Sequence, residues 1–266
     1  MEVSNFYNHI YKKPSLIAGP CVWEGYSHAA RIAEKLISIC EKYDVNFVYK
    51  SSFDKANRSS LKGFRGASNA IEGFEKLKKN FNLEILTDVH ESDQPRNLSI
   101  VDILQIPAFL CRQTDLLKAA AETGKPINVK KGQFLSPQEM ENVKEKLISF
   151  GCKQIILTER GTTFGYNNLV VDFRSIPIMK KFGCPVAIDA THSVQMPGLQ
   201  GDKSGGDRSF AKYMMRCGMV CGADVVFAEV HNDPDNAPSD GPNMLHLEGF
   251  ESFVEEMRKW FDVSSD

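Results

Sequence analysis

Eight short runs of apolar and β-branched residues recur along the chain: Ser15 to Cys21, Asn46 to Ser52, Glu84 to His90, Ile103 to Ala108, Pro126 to Gly132, Gln154 to Gly161, Pro185 to His192 and Val225 to His231. Their starts lie about 20 to 40 residues apart. The segments between them carry apolar residues at helical spacing, as in Ile32, Leu36, Ile39 and Tyr43, or Ile71, Phe74, Leu77 and Phe81. Met140, Val143, Leu147 and Phe150 follow the same rule, as do Leu247, Phe250, Val254 and Met257. Ser136-Pro137-Gln138-Glu139 has the form of a capping box with proline at the first helical position, in which serine and glutamate satisfy end-of-helix amides reciprocally. A helix start is expected there. Gly124, Gly151 and Gly183 close helical runs just before the next strand, where a left-handed residue commonly ends a helix.

A strand that runs parallel to its predecessor needs a crossover, so repeated strand-then-helix units predict a parallel sheet. Eight is the number that closes a (β/α)8 TIM barrel. Strands that are apolar nearly throughout fit that architecture, since helices cover them outside and side chains fill the inside. A doubly wound open sheet is the structural alternative. Residues 15–266 read as one barrel domain and residues 1–14 as an N-terminal extension whose role the pattern does not give.

The polar residues say more than the strand count. Cys21, Lys50, Asp88 with His90, Lys130 with Lys131, Glu159 with Arg160, Asp189 with His192, and Glu229 with His231 all fall at or beside the C-terminal end of a run, and Gln105 does so in the remaining unit. In a parallel barrel those ends open onto one mouth, so an active site is expected there.

Composition narrows the function classes. With 32 Lys+Arg against 34 Asp+Glu the formal net charge is −2, so neither a nucleic acid nor a membrane surface is an expected partner. Apolar residues at 42% and charged residues at 25% exclude wholesale disorder and fibrous repeats. No stretch approaches the ~18 apolar residues of a spanning helix. The opening, Met1 to His9, lacks the basic-then-apolar order of a secretion signal, so a cytoplasmic location is expected. The 7 cysteines are odd in number and form no C-x-x-C pair, which indicates neither a disulfide framework nor a zinc ribbon. Cys40, Cys152, Cys217 and Cys221 read as small buried hydrophobes.

Three connections after strands, Phe53 to Ser68, Ser193 to Ser209 and Asn232 to His246, are too long for simple turns and read as lids or binding loops. The first mixes Lys55, Arg58, Lys62 and Arg65 with Ser59, Ser60, Gly63 and Gly66, a combination suited to holding a phosphate. The bland reading of the same residues is a solvated basic loop. Its position at the mouth favours phosphate.

The string Phe53-Asp54-Lys55-Ala56-Asn57-Arg58-Ser59-Ser60, preceded by Lys50-Ser51-Ser52, strongly resembles the 3-deoxy-D-manno-octulosonate 8-phosphate synthases. The likeness continues through Thr87-Asp88-Val89-His90-Glu91, Gln105 to Asp115, Asn128-Val129-Lys130-Lys131, Phe164 to Asp172 and Ser239-Asp240-Gly241-Pro242, and covers essentially everything from about Leu16 onwards. It implies a barrel enzyme that condenses phosphoenolpyruvate with D-arabinose 5-phosphate and water, releasing phosphate and the eight-carbon sugar acid of bacterial lipopolysaccharide. By the resemblance, Lys50, Lys130, Arg160 and Gln105 hold phosphoenolpyruvate, while Asn57, Arg58 and Ser59 take the sugar phosphate; Lys55 is a further substrate-binding cation of the mouth. Arg112 is open to either phosphate, and Asp88 to a metal, a sugar hydroxyl or Lys50. Members of the family are commonly homotetramers.

Metal-dependent members resemble Gly19-Pro20-Cys21, where metal-independent ones carry asparagine. The implied metal set is therefore Cys21, His192, Glu229 and Asp240, the last eleven positions beyond Glu229. One thiolate, one imidazole and two carboxylates suit one divalent ion per subunit of the iron(II), zinc or manganese kind better than magnesium. His192 and Asp240 are also open to relaying a proton, with Lys130 and Arg160 stabilising charge. Taken alone, His192 reads equally as a core histidine, and Glu229 beside His231 as a structural pair. Asp233 is a rival to Asp240. His90 and His231 are open in the same way, to a core histidine or a catalytic base, and also to partners that orient ligands. Three rival functions stand: a 3-deoxy-D-arabino-heptulosonate 7-phosphate synthase, whose loop carries Lys-Pro-Arg-Thr-Ser in place of Lys55-Ala56-Asn57-Arg58-Ser59; a Schiff-base aldolase using Lys130; and a catalytically silent sugar-phosphate-binding barrel.

Overall fold

The computed structural model describes residues 4–56, 65, 67, 69–166, 168–200 and 203–264. Eight parallel strands form a ring: β1 (Ser15–Gly19), β2 (Asn46–Lys50), β3 (Ile85–Asp88), β4 (Ile103–Ile106), β5 (Ile127–Lys130), β6 (Ile155–Glu159), β7 (Val186–Asp189) and β8 (Val225–His231). Each pairs with the next, and β8 pairs back onto β1 from Ser15↔Val225 to Gly19↔Glu229. That closure decides for the (β/α)8 barrel against the open sheet. Every residue of β1 and of β3 to β8 is buried, as strands enclosed on both faces require.

The α-helices are α1 (Asn5–His9), α2 (Tyr26–Lys42), α3 (Ala70–Phe81), α4 (Thr114–Ala121), α5 (Glu139–Ser149), α6 (Ser175–Lys180), α7 (Ala211–Val220) and α8 (Phe250–Ser264). The repeat breaks once. Between β3 and β4 the chain makes only a 3-10 turn at Pro95–Asn97. Pro95 has no N–H to donate, the connection is short, and buried Leu98 and Val101 cover the barrel in place of a helix face. The capping box forms by half: the Ser136 N–H donates to Glu139 Oε2 at 2.8 Å. The Ser136 hydroxyl donates to that same carboxylate instead of accepting from the backbone, and the helix proper starts at Glu139. Gly124, Gly151 and Gly183 have φ of +72°, +89° and +75°, the left-handed ends expected of them.

Part of the N-terminal extension closes the bottom of the barrel. Ser4 Oγ accepts the Tyr7 N–H at 3.3 Å, and the Glu84 carboxylate accepts the N–H groups of Asn5 and Phe6, so α1 is capped from both its own sequence and the barrel. Phe6 and Ile10 then join Ile17, Val48, Leu86, Ile103, Ile156, Ala187, Val225 and Phe227 in one buried cluster inside the ring.

Two of the three long connections have structure of their own. Gln195–Gln200 pairs antiparallel with Lys203–Gly206, and Leu245–His246 adds to β8 after 3-10 turns at Pro234–Asn236 and Gly241–Asn243. Much of the first, residues 57–64, 66 and 68, lies outside the described residues, and with it Asn57, Arg58 and Ser59. Among the described residues no helix is long and apolar enough to cross a membrane. Cys217 is exposed and Cys221 half-buried, against the expectation that both are core residues, because both lie at the C-terminal end of α7, at the edge of its buried stripe.

Candidate active site

Alternation along β8 turns both Phe227 and Glu229 into the barrel, so the aromatic ring floors the space in which the carboxylate stands. Lys130 Nζ, from the end of β5, lies 3.1 Å from the Phe227 ring centroid, and Lys50 Nζ, from the end of β2, lies 5.8 Å from it. Above this floor the apolar filling gives way to charge. β1 can run close to β2 here because residue 19 is glycine: a Cβ would sit 2.0 Å from the Lys50 carbonyl oxygen. That close approach delivers Cys21, whose carbonyl accepts from Lys50 Nζ at 3.1 Å.

Three of the four predicted donors converge, and the fourth, His192, faces two of them. The ligand atoms of Cys21, Glu229 and Asp240 all lie within 4.8 Å of one another, and all three residues are buried. Cys21 Sγ donates to Asp240 Oδ2 at 3.2 Å. His192 Nε2 faces Glu229 Oε2 at 3.8 Å and Asp240 Oδ2 at 4.0 Å. Asp240, at φ +53°, holds a left-handed backbone that is uncommon outside glycine, a local cost of the kind found where a side chain must be aimed. Asp233, its rival, uses its carboxylate on Asn236 and its N–H on His231, away from the group.

The chemistry of this set fits a cation. His192 Nδ1 touches the Asp189 carboxylate at 2.8 Å in a contact too bent for a linear hydrogen bond, and so short an approach to an acceptor-only group requires the proton on Nδ1. Nε2 is left with its lone pair. It faces Glu229 Oε2, a buried oxygen with no hydrogen-bond partner among the described residues. Two lone-pair groups opposed in a buried space are stable with positive charge between them, and a thiol, an imidazole and two carboxylates are donors that suit such an ion.

The predicted cations surround this group. Lys50 Nζ pairs with Glu229 Oε1 at 2.7 Å, both side chains only 1% exposed. Burial alone would depress the Lys50 ammonium, but Glu229, Cys21 and Asp88 reverse this and hold its pKa above the ordinary value. Burial would likewise raise Glu229, which Lys50 instead keeps below its usual range. Lys130 Nζ pairs with Asp189 Oδ2 at 2.5 Å, and burial outweighs that partner, pulling its pKa down to about 8. Asp189 is held far below its normal range: burial opposes this, and His192 and Lys130 prevail. Glu159 Oε1 accepts the N–H groups of Arg160 and Gly161, a tight turn that sends Arg160 inward to donate from Nη2 to Gln195 Oε1 at 2.8 Å. Gln195 Nε2 in turn donates to Asp240 Oδ1 at 3.0 Å.

Lys55 lies 3.7 Å from Asp88 Oδ2, and Asp88 also meets Ser52 and His90. Burial works against ionisation of Asp88, but Lys55, His90 and Lys50 keep it well below its usual pKa. Lys55 is thus the lysine nearest Asp88, with Lys50 a more distant charge. Gln105 Oε1 accepts from Asn128 Nδ2 at 2.9 Å on the adjoining strand. Arg112 stands apart, exposed on the rim with its guanidinium 5.7 Å from the Phe134 ring centroid. Lys131 Nζ is taken up by Glu159 and Thr162. Two residues that connect the site escaped the sequence reading in those roles. Asp189 was noted only as a strand-end acid, and Gln195 not at all; its place three residues after His192 was the signal available.

A second histidine cluster lies beside the first. Glu24, His28 and His231 also bring potential ligand atoms within 4.8 Å. Here, however, the Asp233 N–H donates to His231 Nδ1 at 2.9 Å, which puts the ring proton on Nε2, where it is given to Glu24 Oε1 at 2.8 Å. His231 thus has no lone pair free for an ion, and it orients Glu24, not a member of the first group.

The sequence matches the DAHP synthetase I family over residues 11–263. The chain belongs to that family. Among curated relatives of this DAHP synthetase I member, the 2-dehydro-3-deoxyphosphooctonate aldolase of Rickettsia canadensis (strain McKiel) is 53% identical over 254 residues, 94% of this chain and 93% of the relative. The protein of that name from Bartonella henselae is 53% identical over 94% of this chain and 91% of its own length. That of Cyanothece sp. (strain PCC 7425) is 50% identical over 91% and 90%.

Proposed function

We propose that this chain joins phosphoenolpyruvate to D-arabinose 5-phosphate and water, giving 3-deoxy-D-manno-octulosonate 8-phosphate, the eight-carbon sugar acid precursor of lipopolysaccharide, and inorganic phosphate. The observation that carries the reading is the set of cations Lys50, Lys130 and Arg160, buried at one mouth beside a thiol, an imidazole and two carboxylates. The names of the relatives agree with it. In the reaction a bond forms from C3 of phosphoenolpyruvate to the aldehyde carbon, the oxygen of water adds at C2, and the bond from C2 to the phosphate oxygen breaks.

The substrates bring a carboxylate and two phosphates into a space of low dielectric, where fixed cations need little reorganisation as charge develops. Lys130 and Arg160 supply them at the reacting end, and Lys50 and Gln105 complete the phosphoenolpyruvate site. Lys55, Asn57, Arg58 and Ser59, with Arg112 at the margin, take the sugar phosphate, and Asp88 accepts from a sugar hydroxyl. Holding both substrates in register accounts for about 7–11 kcal/mol of barrier lowering in well-oriented reactions. Cys21, His192, Glu229 and Asp240 would hold one divalent ion of the iron(II), zinc or manganese kind. Bound by those residues, it would supply a Lewis acid to orient and polarise the aldehyde. Asp240 or His192 is the group assigned to move a proton at the reacting centre, in addition to ligating.

Phosphate release from phosphoenolpyruvate with each aldose tests the proposal. Turnover with D-arabinose 5-phosphate well above that with erythrose 4-phosphate is expected; the reverse order would make the chain a heptulosonate synthase, and none with either would make it a binding barrel. We also propose a homotetramer, which exposed Phe109, Phe134, Phe164 and Tyr166 on the loops after β4, β5 and β6 support as a surface for burial. A monomeric mass in solution would contradict it.

A further inference from the structure

Each side of the site is tied to the other by a short chain of contacts. Glu229 meets Lys50 directly at 2.7 Å. His192 meets Lys130 through one carboxylate, Asp189, whose Oδ2 touches His192 Nδ1 at 2.8 Å and Lys130 Nζ at 2.5 Å. Asp240 meets Arg160 through one amide, Gln195, at 3.0 and 2.8 Å. Three residues of the metal set are thus joined to the three cations assigned to phosphoenolpyruvate.

We infer that Gln195 and Asp189 are positioning residues that couple the two halves of the site, so that a divalent cation in the Cys21, His192, Glu229 and Asp240 set and the anion phosphoenolpyruvate on Lys50, Lys130 and Arg160 bind cooperatively. The inference rests on the proposed function. The chemistry of Gln195 leaves it one orientation, because a guanidinium only donates and a carboxylate only accepts. Its amide oxygen must face Arg160 and its NH2 must face Asp240. Gln195 is 7% exposed, so water offers little substitute for either bond. With Oδ1 of Asp240 held by the amide, Oδ2 is turned to Cys21 and His192. Fixing Asp240 on a cation therefore fixes Arg160, and fixing Arg160 on a phosphate fixes Asp240. Asp189 does the same for the other pair: it keeps the His192 proton on Nδ1 and presents Lys130 over the Phe227 ring. Coupling of this kind is reciprocal, since each ligand must change the affinity of the other by one and the same factor.

The test measures four affinities on the full chain: cobalt(II) with and without phosphoenolpyruvate, and phosphoenolpyruvate with and without cobalt(II), the first by the thiolate-to-metal absorption band and the second by calorimetry. The wild type is expected to show a factor of about 5- to 150-fold, equal in both directions. Gln195→Met, of similar length and without donor or acceptor, is expected to lower the factor at least about threefold, the remainder being carried by Asp189 and the Lys50–Glu229 pair, while the variant still binds each ligand alone. Asp189→Asn, whose one acceptor oxygen cannot serve His192 Nδ1 and Lys130 on one side and the Thr191 and His192 N–H groups on the other, is expected to lower the factor independently and serves if Gln195→Met does not fold. A wild-type factor of one, or a wild-type factor retained in both variants, overturns the inference. If phosphoenolpyruvate binds in neither state, the proposed function falls first and takes the inference with it.

Discussion

Two histidine–carboxylate clusters stand at the top of β8, two residues apart on one strand, and they are built for different ends. Glu229 belongs to the first, with Cys21, His192 and Asp240; His231 belongs to the second, with Glu24 and His28. Residue type does not separate them. What separates them is the partner of Nδ1. In His192 an acceptor, Asp189, holds the proton on Nδ1 and leaves Nε2 bare towards the carboxylates. In His231 a donor, the Asp233 N–H, occupies Nδ1 and sends the proton to Nε2 and Glu24. His28 donates from Nε2 to Asn232 Oδ1 at 2.8 Å, so the second cluster keeps a single imidazole lone pair against one carboxylate. A contact outside the ligating atoms thus decides which imidazole can take an ion.

Charge burial separates the clusters further, and the largest expected effect follows from it. Lys50 and Glu229 are each 1% exposed at the side chain, whereas Glu24 is 27% exposed. Lys50→Ala would strand the Glu229 carboxylate in the barrel and is expected to destabilise the metal-free protein by about 3–5 kcal/mol in urea unfolding. Glu24→Gln is expected to cost under about 1 kcal/mol, as for pairs that water can reach. Similar costs for the two would break the distinction. Next in size, His192→Ala is expected to abolish metal retention and lower turnover about 10²–10³-fold, comparable to removing one preorganised transition-state contact. His231→Ala should keep the metal content of the wild type, and loss of metal in both variants would show that the clusters act as one.

Much of this was legible beforehand, and what was not has identifiable causes. Lys50, Lys130, Arg160, Glu229 and Asp240 are found where an expectation of strand ends and motif spacing puts them, because a closed parallel barrel leaves the C-terminal ends of its strands no other place to open. The tautomer of His231 was not legible: it depends on the direction of one backbone N–H two residues away. Nor was the sharing of Asp189 between Lys130 and His192, since they are far apart in sequence and spacing cannot tell which side chains reach one oxygen. The missing helix after β3 was hidden by length, as apolar residues such as Leu98 and Val101 fit a helix face or a tight crossover equally well. The Ser136 box was read correctly as a start, but which way a hydroxyl turns is settled by local geometry that a four-residue pattern does not contain.

The clusters should also titrate apart. Lys130, whose pKa burial has pulled down to about 8, is required charged for an anionic substrate, so kcat/KM for phosphoenolpyruvate is expected to fall about tenfold per pH unit above that value. Stability moves the other way. Between about 8 and the ordinary lysine value of 10.5 the unfolded chain binds more protons than the native one, so this group makes unfolding harder as pH rises. Lys130→Arg should carry the activity limb to higher pH. A limb that stays at 8 in the variant would assign it to another group.

The smallest effect belongs to His28, and it isolates the second cluster. Burial, opposed by Glu24, pushes the imidazole below its ordinary pKa of 6.5, so it is neutral at pH 7.5 with a buried Nδ1 that has no hydrogen-bond partner among the described residues. The unfolded chain then binds the proton more readily than the native one below about pH 6.5, and this residue subtracts stability on acidification. His28→Leu removes the Asn232 bond and the unsatisfied atom together, two losses of opposite sign, and should change stability at pH 7.5 by no more than about 0.5 kcal/mol. Thermal melts at pH 7.5 and 5.5 read both parts: a near-wild-type midpoint at the higher pH, and a smaller drop than the wild type at the lower. Metal content should be unchanged. A drop as large as that of the wild type would mean that acid acts elsewhere, and loss of metal would mean that the bare Nδ1 of His28, not the donor geometry of His192, had been holding the ion.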